Sequence, residues 1–281
     1  MKHFLIYANR QKDRDLAASG RIRAFLEHRG QHVTVWRDGP EGEAVSGADI
    51  VSPDADCMIV LGGDGTLLRA AREMKKRHIP MIGVNYGTLG YMAEIELSNL
   101  EESLERLIKG DYVQESRMML KGRVCFSDGR TEDGWALNDI VISRSGSLHI
   151  IRLSIYVNGQ FLNDYHADGM IVTTPTGSTG YNLSAGGPLV EPGARLIMLT
   201  PICPHSLNQR SIILSAEDVV DIVIPGRGEE GSQRVEASFD ASHIVSMGTG
   251  DRISIAKSEE STEFIRLNQV SFLEILHKKM Q

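Results

Sequence analysis

Apolar residues along this chain follow two different rhythms. In the first part the pattern alternates in type. His3 to Ala8 is a short strand-like run, and Leu16, Ile22, Phe25 and Leu26 recur at helical spacing within Asp13 to His28. Gly30 supplies a helix stop, and His32 to Trp36 is strand-like again. A loop rich in Gly, Asp and Pro leads to the unbroken apolar run Cys57 to Leu61, a helical pattern through Leu67 to Arg77, and a strand over Pro80 to Val84. Alternation of this kind predicts an α/β domain with a parallel sheet covered by helices. Leu100 to Ile108 is the last helical pattern before the change.

From Met118 onward the runs are short and β-rich, with turn signals between them at Ser127-Asp128-Gly129-Arg130, Asn158-Gly159 and Gly226-Arg227-Gly228. Asn158-Gly159 is a two-residue hairpin signal, because both residues tolerate positive φ. The expected organisation is an α/β domain over residues 1–117, a mostly antiparallel β-rich domain over 118–255, and a final segment over 256–281.

Composition narrows the classes. With 281 residues, 41% hydrophobic and 24% charged, the chain buries one large core or two modest ones. The net charge is -7 and Lys and Arg are scattered, which disfavours a nucleic-acid partner. Phe4 to Ala8 is cut short by Asn9, Arg10 and Lys12, so it reads as a strand and not as a signal peptide. No other run approaches the roughly 18 apolar residues that cross a bilayer, and no membrane partner is expected. Cys57, Cys125 and Cys203 are far apart and form no C-x-x-C pair, which points to a reducing cytoplasm.

One loop carries candidate chemistry. Leu61-Gly62-Gly63-Asp64-Gly65-Thr66-Leu67-Leu68 stands where a buried strand hands over to a helix, the end of a parallel sheet at which open α/β folds place ligands. Gly62, Gly63 and Gly65 allow a tight turn and close approach to phosphate, Thr66 completes the candidate phosphate loop, and the N–H groups of the following helix favour an anion. The loop lacks the Gly-Lys-Ser/Thr ending of a P-loop, and Leu68 stands where G-x-G-x-x-G needs its last glycine. Asp64 is the unusual member. A carboxylate beside phosphate repels it unless it holds a cation or accepts the proton of an attacking hydroxyl. The plainer alternative is that Asp64 caps the following helix. The Gly62-to-Thr66 run resembles the signature of a kinase superfamily that includes NAD kinases, diacylglycerol and sphingosine kinases and phosphofructokinases.

A second segment, Thr173-Thr174-Pro175-Thr176-Gly177-Ser178-Thr179-Gly180-Tyr181-Asn182, places six hydroxyl-bearing residues within nine positions, and Ser184 follows. Short hydrogen-bonding groups on a constrained backbone suit a sugar hydroxyl or a purine edge, and Tyr181 adds a ring for stacking. Asn138-Asp139 stands before the strand-like Ile140 to Ser143 and either recognises a base or ends a turn. His205, in Thr200-Pro201-Ile202-Cys203-Pro204-His205-Ser206-Leu207, reads as a structural hydrogen-bonder.

Taken in order with Asn85-Tyr86-Gly87-Thr88-Leu89-Gly90-Tyr91 and Ser238-Phe239-Asp240, these segments resemble the NAD kinase family over roughly residues 57 to 240. The resemblance implies transfer of the γ-phosphoryl group of ATP, with Mg²⁺ or another divalent cation, to the 2′-hydroxyl of the adenosine ribose of NAD. It implies that Asp64 deprotonates or orients that hydroxyl and that Gly65 and Tyr91 adjoin the substrate. Asn138, Asp139, Thr176, Thr179, Gly180, Tyr181 and Ser184 would hold the adenosine part, and Asp168 would lie on the nicotinamide side. It also implies a homodimer or homotetramer, and a last segment, Phe264 to Leu276, that packs back on the first domain. No residue set is assigned to a protein-held metal. Departures from the usual pattern are Asp139 for Glu, Gly180 for Ala, His166 for Arg, Tyr86-Gly87-Thr88 for Thr-Gly-His, and Ala241 where Gly is frequent. A related kinase acting on a lipid or sugar phosphate, and a non-catalytic NADP-binding sensor, are the alternatives. Polyphosphate as donor and NADH as acceptor are left open.

Overall fold

The computed structural model describes residues 1–9, 13, 15–37, 54–74, 77–86, 90–146, 149–205, 210–226, 232–268 and 271–279. The expected turn at Arg227-Gly228, and Gly87-Thr88-Leu89 and Ser206-Leu207 of the quoted segments, lie outside the described residues. The chain divides into two compact units, Met1–Arg117 with Ser261–Gln281, and Met118–Glu260.

The first unit is α/β. Its elements are β1 (His3–Ala8), α1 (Ala17–His28), β2 (His32–Arg37), β3 (Cys57–Leu61), α2 (Asp64–Met74), β4 (Met81–Asn85), β5 (Ala93–Glu96) and α3 (Leu100–Lys109). Strands pair in parallel in the order β2-β1-β3-β4, and β5 adds to β4. Every residue of β3 is buried, as a central parallel strand covered on both faces requires. Two helix starts differ from the sequence expectation. The apolar spacing places α1 within Asp13 to His28, but Asp13 stands before the helix, and its carboxylate accepts the N–H groups of Ala18 and Ser19 at 3.1 and 3.2 Å. The apolar spacing places α2 over Leu67 to Arg77, but the helix opens at Asp64 and is described to Met74. Periodicity cannot see the polar first turn of α2, because no apolar residue marks it, and it cannot tell Leu16 before α1 from a residue within the helix.

The second unit is β-rich. Strand β6 (Val113–Cys125) runs into it, followed by β7 (Thr131–Ala136), β8 (Asp139–Arg144), β9 (Ile151–Val157), β10 (Gln160–Ala167) and β11 (Gly169–Thr173). A short helix, α4 (Tyr181–Ser184), precedes β12 (Leu196–Ile202), β13 (Ile212–Ser215), β14 (Val220–Val223), β15 (Arg234–Phe239) and β16 (His243–Gly248). Strand β17 (Arg252–Arg266) leaves the unit, and α5 (Phe272–Lys279) ends the described chain. One antiparallel sheet has the order β13-β12-β11-β8-β15-β16, and a second layer contains β10-β9-β14-β17. Asn158 and Gly159 both adopt left-handed φ, 51° and 77°, and close the β9–β10 hairpin. Alternate residues of both layers, among them Ile140, Ile142, Met170, Val172, Ile155, Ile222 and Phe239, fill a common core. Val141, Ile171 and Ile202 face the other side of the first sheet, where Ala185 packs on them. That second face places the α4 turn next to β8 and β11.

Candidate active site

In the first unit the site is built at the carboxyl end of β3. Gly62 and Gly63 make the turn, and Gly63 O accepts the N–H groups of Thr66 and Leu67 at 2.9 and 3.2 Å. A Cβ on Gly62 would stand 2.2 Å from Thr66 Oγ1, so only glycine lets α2 start this close to its strand. Asp64, in the first turn of α2, is half-buried, and Gly65 beside it is exposed. The Asp64 carboxylate does not cap its own helix. Its Oδ2 accepts the N–H of Tyr91 at 2.9 Å, and its Oδ1 accepts the N–H of Met92 at 3.2 Å. Gly90 lies against the same carboxylate, where a Cβ would come within 2.3 Å of Oδ1. Asp64, Gly65 and Tyr91 thus form one cluster. Lys279 of α5 stacks its ammonium 3.8 Å above the Tyr91 ring centroid, a cation–π contact on that cluster.

In the second unit the site is a corner, Leu137 to Asp139, pressed against the hydroxyl-rich segment. Thr174 Oγ1 donates to Leu137 O at 2.6 Å, and Thr173 Oγ1 and Thr174 N donate to Asn138 O at 3.0 and 2.9 Å. Gly177 approaches so closely that a Cβ would sit 2.4 Å from Asn138 O. Thr176 to Thr179 form a single tight turn, and Thr179 Oγ1 donates to Thr176 O at 3.3 Å. Ser178 gives its hydroxyl to Val190 O and accepts from Val190 N, both at 3.1 Å. Several hydroxyls that look ligand-directed in the sequence therefore serve the backbone. Thr173, Thr174 and Ser178 are fully buried.

What faces outward is more selective. Tyr181 is 47% exposed, and Ser184 on the same helix is exposed with it. Asn138 Oδ1 is buried and accepts no hydrogen bond from the described residues. An unpaired buried acceptor costs about 1–3 kcal/mol, which a donor group on a ligand would recover. Asp139 is buried, and burial, with the nearby Asp240 charge as the second cause, pushes its carboxyl up to about 7.

Asp168 is not brought to this corner. It precedes Gly169, while the corner packs at the Thr173 end of the same strand, roughly 17 Å away at 3.3 Å per residue. Its carboxylate pairs with Arg144 Nε at 3.0 Å. His166 and His205 are both exposed, joined through the His205 N–H donating to His166 O at 2.8 Å.

Sequence reasoning named no role for two residues that organise the corner. Asp240 accepts three backbone N–H groups, from Leu137, Asn138 and Asp139, at 2.7, 2.9 and 3.1 Å. Asn182, fully buried, donates to Pro188 O at 3.0 Å and accepts from Thr200 Oγ1 at 2.6 Å, holding the α4 turn against β12. A buried-sheet run ending in Asp is the only local signal for Asp240.

Comparison with known proteins gives a consistent result. Residues 6–112 match the ATP-NAD kinase N-terminal domain, and residues 137–267 match the ATP-NAD kinase C-terminal domain. The NAD kinase of Lachnospira eligens is 46% identical over 294 residues, covering all of both chains. That of Agathobacter rectalis is 44% identical over 282 residues, covering 100% of this chain and 99% of its own. Among solved structures, an NAD kinase from Archaeoglobus fulgidus in complex with ATP superposes with a TM-score of 0.79 at 26% identity, covering 99% of this chain and 98% of that one. Yeast NADH kinase complexed with NADH gives 0.84 at 23% identity, covering 100% and 87%, a likeness of fold.

Proposed function

This chain belongs to the NAD kinase family, and on that premise we propose that Asp64 orients the 2′-hydroxyl of the adenosine ribose for phosphorylation by ATP. The overall reaction is that of an ATP-dependent NAD kinase, giving NADP and ADP. One observation carries the role of Asp64: two backbone N–H groups, from Tyr91 and Met92, hold its carboxylate in one direction beside a glycine-lined turn. Each carboxylate oxygen keeps a second acceptor position for a sugar hydroxyl. Phosphoryl transfer of this kind has a loose transition state, so positioning and charge neutralisation do most of the work.

The remaining assignments follow from the corner. Asn138 Oδ1 suits an amino donor such as that of adenine, the Tyr181 ring offers a stacking face, and Asp139, Thr176, Thr179, Gly180 and Ser184 line the adenosine part. Asp168, held by Arg144, would serve the nicotinamide half. Gly62, Gly63, Gly65 and Thr66 would receive phosphate. Among the described residues no group of three or more His, Cys, Asp or Glu side chains could cage a metal. A divalent cation, Mg²⁺, would enter as part of the Mg–ATP substrate and offset triphosphate charge for which the phosphate loop carries no Walker lysine.

A cytoplasmic homo-oligomer is the setting we infer. Cys57, Cys125 and Cys203 are free thiols, suited to a reducing compartment. Ile213 and Ile244 are more than half exposed on β13 and β16, the two edge strands of one sheet, where another chain would cover them. Among the described residues no helix is long and apolar enough to cross a membrane. Incubating the purified protein with NAD, ATP and Mg²⁺, and detecting NADP with an NADP-specific dehydrogenase, tests the function. Product with NAD is expected. Turnover of diacylglycerol or fructose 6-phosphate, with none of NAD, would overturn it.

A further inference from the structure

We propose that Asp240 is a positioning residue for the reaction, fixing the direction in which Asn138 and Asp139 are presented to the nucleoside. The proposal rests on the reading of Leu137 to Asp139 as the adenosine-binding corner. Every backbone group of that corner has an identifiable partner. The three N–H groups converge on the Asp240 carboxylate, Leu137 on Oδ2 and both Asn138 and Asp139 on Oδ1. The carbonyls of Leu137 and Asn138 are taken by Thr174 and Thr173, and Asp139 O accepts the N–H of Asp240 at 3.1 Å. Asn138 and its neighbours are thus oriented by one side chain from the loop between β15 and β16.

That loop is a tight hairpin turn whose geometry aims the Asp240 side chain. Asp240 and Ala241 both adopt left-handed φ, 48° and 55°, a region that non-glycine residues seldom occupy. Both values are those of a two-residue hairpin turn, in which the Ser242 N–H donates to Phe239 O at 3.1 Å, and the turn presents the Asp240 side chain to the three N–H groups. The carboxylate is also set close enough to a second, buried acid, Asp139, to oppose its ionisation. The turn that joins β15 to β16 accounts for the two φ values, but it does not need the three long-range N–H contacts on the Asp240 carboxylate.

The test is kinetic. Asp240→Asn keeps the size and the tolerance of left-handed φ but leaves one accepting oxygen for three N–H groups. It is expected to raise the KM for NAD about tenfold, with kcat and the KM for ATP within about threefold. In an Asn138→Ala background the same substitution is expected to add clearly less than tenfold, about threefold, because only the Asp139 side chain is left for it to aim. Asp240→Glu, one methylene too long, is expected to repeat the KM effect. An unchanged KM for NAD in whichever variant folds, or a full tenfold increment in the Asn138→Ala background, overturns the proposal, as does failure of both variants to fold. If Asn138→Ala itself leaves the KM for NAD unchanged, the reading of the corner fails. If Asn138→Ala raises it and Asp240→Asn does not, only the role of Asp240 fails.

Discussion

The backbone N–H of Tyr91 donates to Asp64 Oδ2 at 2.9 Å, joining two residues 27 positions apart. With Met92 on the other oxygen, the carboxylate is held from two sides before any ligand arrives. Asn at position 64 keeps the volume but exchanges one acceptor for a donor. It is expected to lower kcat by about 100- to 10,000-fold, the usual contribution of a positioned acid or base. The KM for NAD and the thermal midpoint should change little. Steady-state kinetics of Asp64→Asn in the coupled assay check this, and near-normal turnover would remove Asp64 from the mechanism.

Gly90 offers an independent way to disturb the same group. A methyl there would stand 2.3 Å from Asp64 Oδ1, well inside contact distance, so the carboxylate must move. Displacement of about 1 Å in a reacting group typically costs about 100-fold. Gly90→Ala is expected to lose kcat on that scale with Asp64 chemically intact. A variant with wild-type kcat would show that the direction of the carboxylate does not matter.

The sequence made the main architecture legible because the two periodicities differ so sharply. Cys57 to Leu61 and the Asn158-Gly159 hairpin are found where pattern alone places them. Asp64 was legible as an oddity among glycines, but its partners were not, since the backbone N–H of Tyr91 carries no sequence identity. The hydroxyl-rich segment was only half legible. Composition cannot tell Ser178, which binds Val190 on both sides, from Tyr181, which faces outward. Asp240 was least legible, because its importance comes from three long-range contacts.

The C-terminal strand is tied into the first unit by charge as well as by packing. Arg266 donates through Nη1 to Glu94 and through Nε to Glu115, both at 2.9 Å, and Glu94 Oε1 also accepts the Asn268 N–H at 2.7 Å. The side chain of Glu94 is only 8% exposed, so loss of its partner strands a buried anion. Breaking such a pair from one side costs about 3–5 kcal/mol. Arg266→Met is expected to fall in that range by urea denaturation. The deficit should shrink in acid, because burial of Glu115 is outweighed in the parent by the Arg117 and Arg266 hydrogen bonds that hold its carboxyl below the ordinary value, and that contribution is lost as the group protonates. A loss under about 1 kcal/mol would mean that water reaches Glu94.

Asp139 ties stability to pH in the opposite sense from an ordinary carboxylate. Burial first, and the Asp240 charge second, raise its folded value from 3.8 to about 7. The unfolded chain therefore releases this proton near pH 4, whereas the folded chain holds it until about pH 7. The associated stabilisation is fully present below pH 4 and is lost as pH rises through 7, by up to about 4 kcal/mol at 1.36 kcal/mol per unit. Asp139→Asn has no proton to release. Relative to the parent it should gain about 2–4 kcal/mol between pH 4 and pH 8, with most of the gain reached by pH 7, while other carboxylates cancel in the difference. Paired urea titrations of the two proteins across that range make the comparison. A difference that stays flat would place an ionised Asp139 beside Asp240 throughout, and burial would not be what governs it.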